Sequence, residues 1–128
     1  MITSGLVNVF THDVLRALEF YGGRLGLTET FRTPTGGVPE HVELSAGGFV
    51  IAISSAEAAR RVHGLDPQVG SPAMSLVFWV DDVDATYRDL ESHGVVGHTK
   101  PHDTGNDNRN AVVLDPDGTL VELVAKRG

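Results

Sequence analysis

The stretch Leu114-Asp-Pro-Asp-Gly-Thr-Leu-Val-Glu-Leu123 is the clearest guide to the fold, because it joins two strand-like runs through a tight turn. Asp115-Pro-Asp-Gly118 is the turn, and its glycine can supply the positive φ that such turns need. The flanking runs, Ala111–Leu114 and Thr119–Val124, are rich in the apolar and β-branched residues that favour strands. We therefore predict two antiparallel strands joined by a hairpin near the end of the chain.

The first half of the chain carries the same arrangement about seventy residues earlier. The hairpin Ala46-Gly-Gly48 lies 70 residues before Pro116-Asp-Gly118, and Leu6 lies 69 residues before Ser75. Each half is predicted to contain a strand, a helix and three further strands. A repeat of this kind indicates that one half cannot bury its sheet face alone, so two halves must pair, from one chain or from two.

Hydrophobic spacing and turn residues predict the remaining element bounds. The first helix follows Thr11 or Asp13 as its N-cap and ends at Gly22-Gly23, while the last begins after Asp81-Asp82 and ends at Gly94. The other predicted elements are a helix at Ala56–Val62 and strands at Leu6–Phe10, Leu25–Thr33, His41–Ser45, Phe49–Ile53, Met74–Val80 and Val95–Thr99. Loops are predicted at Pro34–Pro39 and Pro101–Asn108, and a linker at Gly64–Pro72.

Composition excludes several classes of protein. The 128 residues carry a net charge of −7 and no cysteine, which argues against a nucleic-acid binder and excludes thiolate chemistry and disulfides. No stretch approaches the roughly 18 apolar residues that a membrane helix needs. The N-terminal residues show neither the basic nor the apolar region of an export signal. We expect a cytoplasmic protein that contacts neither membranes nor nucleic acids.

Three motifs resemble the vicinal oxygen chelate superfamily, which contains glyoxalase I, extradiol dioxygenases, fosfomycin-modifying transferases and bleomycin-resistance proteins. They are Asp13-Val-Leu-Arg-Ala-Leu-Glu-Phe-Tyr21 followed by Leu25-Gly26-Leu27, then Val80-Asp-Asp-Val-Asp-Ala-Thr-Tyr87, and the hairpin stretch Leu114–Leu123. The resemblance implies an α+β fold, in which two βαβββ modules form a cup-shaped mixed sheet with helices on its outer face. It implies a single domain over residues 1–128, with module one at about 1–63, a linker at about 64–72 and module two at about 73–128.

The resemblance also implies four positions where metal-using members of the superfamily hold their ion. Carried over to this chain, those positions are Leu6, Ala52, Ser75 and Glu122. A catalytic divalent ion needs about three nitrogen or oxygen ligands, and only Glu122 is a good one. We therefore expect no metal and no cofactor, and the chain is closest in character to the metal-free bleomycin-resistance-like binding proteins.

The six histidines are the remaining candidates for a metal site. His12, His63 and His93 lie at helix ends and are expected on the surface. His41, His98 and His102 lie on or beside strands and could approach one another, which leaves a non-standard metal site open.

Strand alternation predicts which residues face the cavity of the cup. The lining is mostly apolar, with two aromatic rings, a few polar groups and one carboxylate, as small-molecule sites are. Trp79 either stacks on a planar ligand or packs in the core, while Leu76, Phe78 and Val80 on the other face are expected in the core. The residues predicted to bind the ligand are Asn8, Phe10, Phe31, Phe49, Ala52, Ser75, Val77, Trp79 and Glu122.

Glu122 has three possible roles: a structural residue without function, a group that fixes a cationic or hydroxyl-bearing ligand, or a general base. The leading hypothesis is a homodimeric binding protein that sequesters a small, partly aromatic natural product, either cationic or neutral, in a cleft at the dimer interface. The alternatives are a metal-independent isomerase, cyclase or lyase with Glu122 as its catalytic base, and a divergent metalloenzyme related to glyoxalases and dioxygenases.

Overall fold

The structure is a computed structural model that describes residues 1–70 and 73–127. The chain divides into two compact units, Met1–Gly70 and Ser71–Gly128, called unit one and unit two below. Within the described residues, no helix is long and apolar enough to cross a membrane. Residues 64–70 of the predicted linker belong to unit one, and residues 71–72 lie outside the described part.

Unit one is a four-stranded mixed sheet with two helices. Its strands follow the order β1-β4-β3-β2, with β1 parallel to β4 and the other neighbours antiparallel. The helix α1 continues directly into a π-helical segment. The elements are β1 (Val7–Thr11), α1 (Val14–Leu18), the π-helical segment (Glu19–Arg24), β2 (Thr28–Thr33), β3 (His41–Ala46), β4 (Phe49–Ser55) and α2 (Ala56–His63).

Unit two repeats this topology with one helix. Its strands follow the order β5-β8-β7-β6, again with one parallel pair, β5 with β8, and two antiparallel pairs. The elements are β5 (Ser75–Trp79), α3 (Val83–Ser92), β6 (Val96–Asp103), β7 (Asn108–Leu114) and β8 (Leu120–Lys126). The predicted α+β fold with two βαβββ modules is therefore confirmed.

Each sheet has one buried face and one open face, as strand alternation predicts. In unit two, Leu76 and Phe78 are buried whereas Val77 and Trp79 between them are 46% and 62% exposed. Val80, which was expected in the core, follows the strand and is only half-buried. The face packed against α1 or α3 is called the buried face below, and the opposite one the open face.

The first helix does not end at Gly22-Gly23, where glycine was predicted to stop it. Both glycines lie inside the π-helical segment, in which Leu25 N–H donates to Phe20 O at 2.9 Å. Phe20 and Tyr21 are buried and meet edge to face with ring centroids 4.8 Å apart, and this packing outweighs the low helix propensity of glycine. The helical path ends at Gly26, whose φ is 78°.

The predicted loop Pro101–Asn108 was also wrong in part, because β6 extends to Asp103. Pro101 is tolerated there because β6 is an edge strand whose pairing with β7 is irregular between Thr99 and His102. Other bounds differ by a few residues: β2 begins at Thr28 rather than Leu25, and β8 continues to Lys126. Asp13 is the N-cap of α1 and Asp82 that of α3.

Candidate functional site

Unit one contains a cavity of about 480 Å³ between the open face of its sheet and helix α2. This volume lies within the range of roughly 300 to 1,000 Å³ that small-molecule sites occupy. The wall from α2 and the segment after it is mostly apolar, and the wall from the sheet is mostly polar. The lining residues are Asn8, Phe10, Thr33, Glu40, His41, Ser54, Ser55, Ala58, Ala59, Val62, His63 and Leu65.

A chain of hydrogen bonds crosses three strands on the sheet side of this cavity. Ser54 donates from its hydroxyl to Asn8 Oδ1 at 2.9 Å. The ring of His41 lies with Nδ1 3.1 Å from Ser54 Oγ and Nε2 3.0 Å from Glu43 Oε2. Asn8, Ser54 and His41 line the cavity, and Glu43 holds the ring from the side away from Ser54.

The strand register is what brings these side chains together. The Gly47-Gly48 turn pairs Ala46 with Phe49, and the same register pairs His41 with Ser54 and Glu43 with Ala52. The parallel pairing of β1 with β4 then places Asn8 beside Ala52 and Phe10 beside Ser54.

The other charged side chains at the cavity are partly neutralised. Both carboxylate oxygens of Glu40 accept hydrogen bonds from Arg61 on α2, at 2.8 and 2.7 Å. His63, the last residue of α2, also lines the cavity. The rest of the α2 wall is formed by Ala58, Ala59 and Val62, so an apolar group of a ligand would contact this side.

The open face of unit two carries a second polar group. Asn110 donates from Nδ2 to Glu122 Oε1 at 2.6 Å, and Glu122 is half-buried. Within the described part of the chain, Asn110 Oδ1 is buried and has no hydrogen-bond partner. On the same face, Lys126 Nζ lies 5.7 Å from the ring centroid of Trp79.

The predicted ligand-binding residues divide between these places. Asn8 and Phe10 line the cavity of unit one, and Phe31 lies on the same open face with its ring centroid 6.2 Å from that of His41. Ala52 is fully buried on that face. In unit two, the residues Ser75, Val77, Trp79 and Glu122 share the open face in the observed register.

Phe49 is misplaced in the predicted lining. It precedes Val50 at the start of β4, so alternation puts its side chain on the face of Ile51 and Ile53, opposite Ala52. Its ring is 43% exposed at the hairpin end of the strand.

The donor atoms at the superfamily's metal positions do not fit a divalent ion. Leu6 and Ala52 have no donor atoms in their side chains, and Ser75 offers only a hydroxyl. Nowhere in the described ranges do three or more His, Asp or Glu side chains come close enough to hold a metal. The histidines of unit two make local bonds instead, His98 to Thr99 Oγ1 and His102 to Lys100 O.

Sequence reasoning missed the His41 chain, although the sequence contained a signal for it. His41 and Glu43 alternate on one strand, and the two-glycine hairpin fixes which residues of β4 they face. Counting back from Ala46 and Phe49 pairs His41 with Ser54, which lies two residues after the predicted lining residue Ala52 and so on the same face.

Comparison with known proteins finds a matching superfamily profile and a similar bacterial protein. The profile of the glyoxalase/bleomycin resistance protein/dioxygenase superfamily matches residues 4–123. The uncharacterized protein YraH of Bacillus subtilis (strain 168) is 31% identical over 123 residues, which cover 91% of this chain and 93% of YraH.

Solved structures resemble the fold over nearly the whole chain. TioX from Micromonospora sp. ML1 has a TM-score of 0.77 at 22% identity and covers 97% of this chain and 99% of its own. A lactoylglutathione lyase from Agrobacterium tumefaciens has a TM-score of 0.70 at 20% identity and covers 98% of this chain and 96% of its own.

Proposed function

The chain belongs to the glyoxalase/bleomycin resistance protein/dioxygenase superfamily, and we propose that it binds and sequesters a small, partly aromatic organic molecule without using a metal ion. The observation that carries this proposal is the cavity of unit one, which combines a ligand-sized volume with an ordered polar wall. The superfamily hosts several unrelated activities on one fold, so the function has to be argued from the site itself.

The lining supports a ligand with an apolar body and one polar end. Phe10 and the α2 residues Ala58, Ala59 and Val62 offer apolar contacts, whereas Asn8, Ser54 and His41 offer hydrogen bonds. Burying the apolar body contributes roughly 25 cal/mol for each Å² removed from water. A net charge of −7 on the chain favours cationic over anionic ligands during their approach.

The proposal includes a homodimer. Large apolar side chains are exposed on the open faces of both units, among them Phe31 in unit one and Val77 and Trp79 in unit two. Exposed apolar groups of this size are typical of surfaces that a ligand or a second chain covers. Sedimentation of the purified protein should therefore give twice the mass of one chain.

Binding is tested by calorimetric titration of the chelator-treated protein with a panel of aromatic natural products, antibiotics included. We expect saturable binding of some of these compounds with one site for each cavity, and no turnover of the bound compound. Turnover of a substrate in the absence of binding by the panel would contradict the proposal.

One observation favours an alternative function. Glu122 is a half-buried carboxylate held by Asn110, on an open face that also carries Val77 and Trp79. Such a carboxylate is a candidate general base for a metal-independent isomerase, cyclase or lyase. If Glu122→Gln abolished turnover without weakening binding, the alternative would replace the binding proposal. The metalloenzyme hypothesis has no comparable support, because Leu6 and Ala52 have no donor atoms in their side chains and Ser75 offers only a hydroxyl.

A further inference from the structure

The hydrogen bonds around His41 can be satisfied in two ways that differ in the protonation of its ring, and the first has the Ser54 hydroxyl directed to Asn8. A serine hydroxyl has one hydrogen, and that of Ser54 is directed to Asn8 Oδ1. His41 Nδ1 must therefore donate to Ser54 Oγ. A carboxylate only accepts hydrogen bonds, so Nε2 must donate to Glu43. Both ring nitrogens carry hydrogen in this arrangement, which is therefore the one that a protonated His41 adopts beside Glu43.

A neutral His41 requires a different arrangement of the same groups. Glu43 keeps the remaining hydrogen on Nε2, because the other tautomer would place a lone pair against the carboxylate. Nδ1 is then an acceptor, and the Ser54 hydroxyl turns to donate to it. Ser54 Oγ then has no hydrogen left for Asn8 Oδ1, and two acceptor oxygens would face each other at 2.9 Å. The Asn8 amide relieves this by rotating half a turn, so that Nδ2 donates to Ser54 Oγ.

The Asn8 amide therefore presents opposite atoms to the cavity in the two states. With His41 protonated, Asn8 Oδ1 is engaged by Ser54, and within the described residues no group accepts from Nδ2. With His41 neutral, Nδ2 is engaged and Oδ1 is left for a ligand. Asn8 is exposed and lines the cavity, so its amide has room to rotate.

We infer that His41 sets the hydrogen-bonding polarity of the cavity through Ser54 and Asn8, so that the protonated protein takes ligands that carry a carbonyl or similar oxygen acceptor. This inference rests on the proposed function and deepens it by naming the polar group of the ligand. Asn8 and His41 are then the residues that determine specificity, while the apolar α2 wall accepts any aromatic body.

The charged groups around His41 do not compete with Ser54 for its ring Nδ1. Glu43 on the same strand is its direct partner, and neither Ser54 on β4 nor Thr33 on β2 carries a charge. The remaining charged or titratable groups at the cavity are Glu40, which is paired with Arg61 of α2, and His63 at the end of α2. In the His63→Gln variant, which removes the other histidine at the cavity, the pH dependence expected for the unaltered protein should persist.

The test uses acetophenone and ethylbenzene, which share one shape and differ in the carbonyl oxygen. Their affinities are measured by titration followed by NMR at about pH 6 and about pH 8, and the ring nitrogen signals of His41 report its protonation at each pH. At the lower pH we expect acetophenone to bind about 3- to 10-fold more tightly, the ratio that one net hydrogen bond supplies. At the higher pH the ratio should fall towards one.

Three variants complete the test. Asn8→Asp has no side-chain donor, so the ratio of its affinities for acetophenone and ethylbenzene should be near one at both pH values. Its control is Asn106→Asp, which makes the same change in the exposed turn after β6 and should behave as the unaltered protein. In His41→Gln the ratio should not vary with pH. A ratio in the unaltered protein that does not vary with pH contradicts the inference alone, whereas failure to bind either probe contradicts the proposed function as well.

A second measurement needs no ligand. In ¹⁵N-labelled protein, the side-chain amide signals of Asn8 should shift with pH at the same midpoint as the ring nitrogens of His41. An Asn8 amide that does not follow His41 would show that the two groups are not coupled, and would overturn the inference whatever the cavity binds.

Discussion

Glu43 and Glu122 belong to equivalent cross-strand residue pairs of the two sheets, but Glu43 lies on the first strand of its pair, β3, and Glu122 on the second strand of its pair, β8. In unit one Glu43 faces Ala52, and in unit two Val112 faces Glu122. In unit one the carboxylate is bound by His41, two residues before Glu43 on β3. In unit two it is bound by Asn110, two residues before Val112 on β7. Each open face thus keeps one carboxylate with its own hydrogen-bond donor.

The first prediction concerns metal removal. Because each carboxylate is bound by a donor of its own unit and Leu6 and Ala52 lack donor atoms, we expect chelator treatment to change neither ligand affinity nor the thermal midpoint. Elemental analysis of the purified protein should find far less than one Fe, Zn, Ni or Mn ion per chain. Binding that is lost with chelator and restored by one of these ions would contradict the prediction.

A pair of phenylalanines tests where the ligand binds. Phe10 lines the cavity, whereas Phe49 lies on the opposite face of the neighbouring strand. We expect Phe10→Ala to weaken binding of an aromatic probe about tenfold, or ~1.4 kcal/mol, because the ring contact is lost. Phe49→Ala removes the same side chain and should leave the affinity unchanged in calorimetry. Equal losses in both variants would place the ligand elsewhere.

Gly97 allows α3 to pack closely on β6. A Cβ at this position would meet the side chain of the buried Tyr87, with Cζ 2.8 Å away and the hydroxyl closer still. Burial raises the pKa of Tyr87, as does its contact with Glu91, so its hydroxyl is expected to be neutral. We expect Gly97→Ala to lower the free energy of unfolding by about 1–3 kcal/mol in urea denaturation.

The controls for Gly97 are a glycine in the turn after β6 and a second substitution at Tyr87 on α3. Gly105 has open space around its Cβ position, so Gly105→Ala should change stability by less than about 0.5 kcal/mol. Adding Tyr87→Phe to Gly97→Ala removes the closest atom and should recover part of the loss. A double variant whose loss of stability equals or exceeds the sum of the two single losses would show that the hydroxyl contact is not the cause.

The sequence predicted the repeat and the faces of the strands, because both follow from patterns within short segments. The offsets that relate Leu6 to Ser75 and the two hairpins are those of the observed sheets, and the alternation around Val77 is that of the observed burial. The four positions carried over from metal-using members of the superfamily could be placed on the open faces for the same reason, because the place of a residue in a strand determines which face it occupies.

The errors came from interactions between segments. Gly22 and Gly23 remain helical because Phe20 and Tyr21 pack into the core, which local propensity does not report. Pro101 lies in a strand because that strand is at the sheet edge, which depends on the order of all four strands. The His41 chain likewise requires three strands in register, so it is evident only once their pairing is known.

Arg109 is expected to control the acid stability of unit two. Its guanidinium donates to both oxygens of Asp84 on α3, at 2.6 and 2.8 Å, and to Asp103 on β6 at 2.9 Å. These hydrogen bonds hold the pKa of both carboxyls below the ordinary value. A lowered folded pKa contributes stability above the ordinary carboxyl value of about 3.9, and the contribution is lost as pH falls through the folded value.

The Arg109→Gln variant should therefore begin to unfold at a higher pH than the unaltered protein, when acid unfolding is followed by circular dichroism. Arg60→Gln is the matched control, because Arg60 makes one exposed pair with Asp66 and should leave the acid transition in place. A shift of equal size in both variants would attribute the effect to net charge rather than to the Arg109 cluster.

Glu122 should contribute to stability through Asn110 rather than through its charge. Gln at this position keeps an acceptor for Asn110 Nδ2, whereas Leu leaves that donor unpaired on a partly buried face. An unpaired buried donor costs about 1–3 kcal/mol, so Glu122→Leu should be less stable than Glu122→Gln by about that amount in urea denaturation. Adding Asn110→Leu removes the unpaired donor and should recover most of the loss. If Glu122→Leu is instead as stable as Glu122→Gln, Asn110 does not depend on this carboxylate, and Glu122 has no structural role on the open face of unit two.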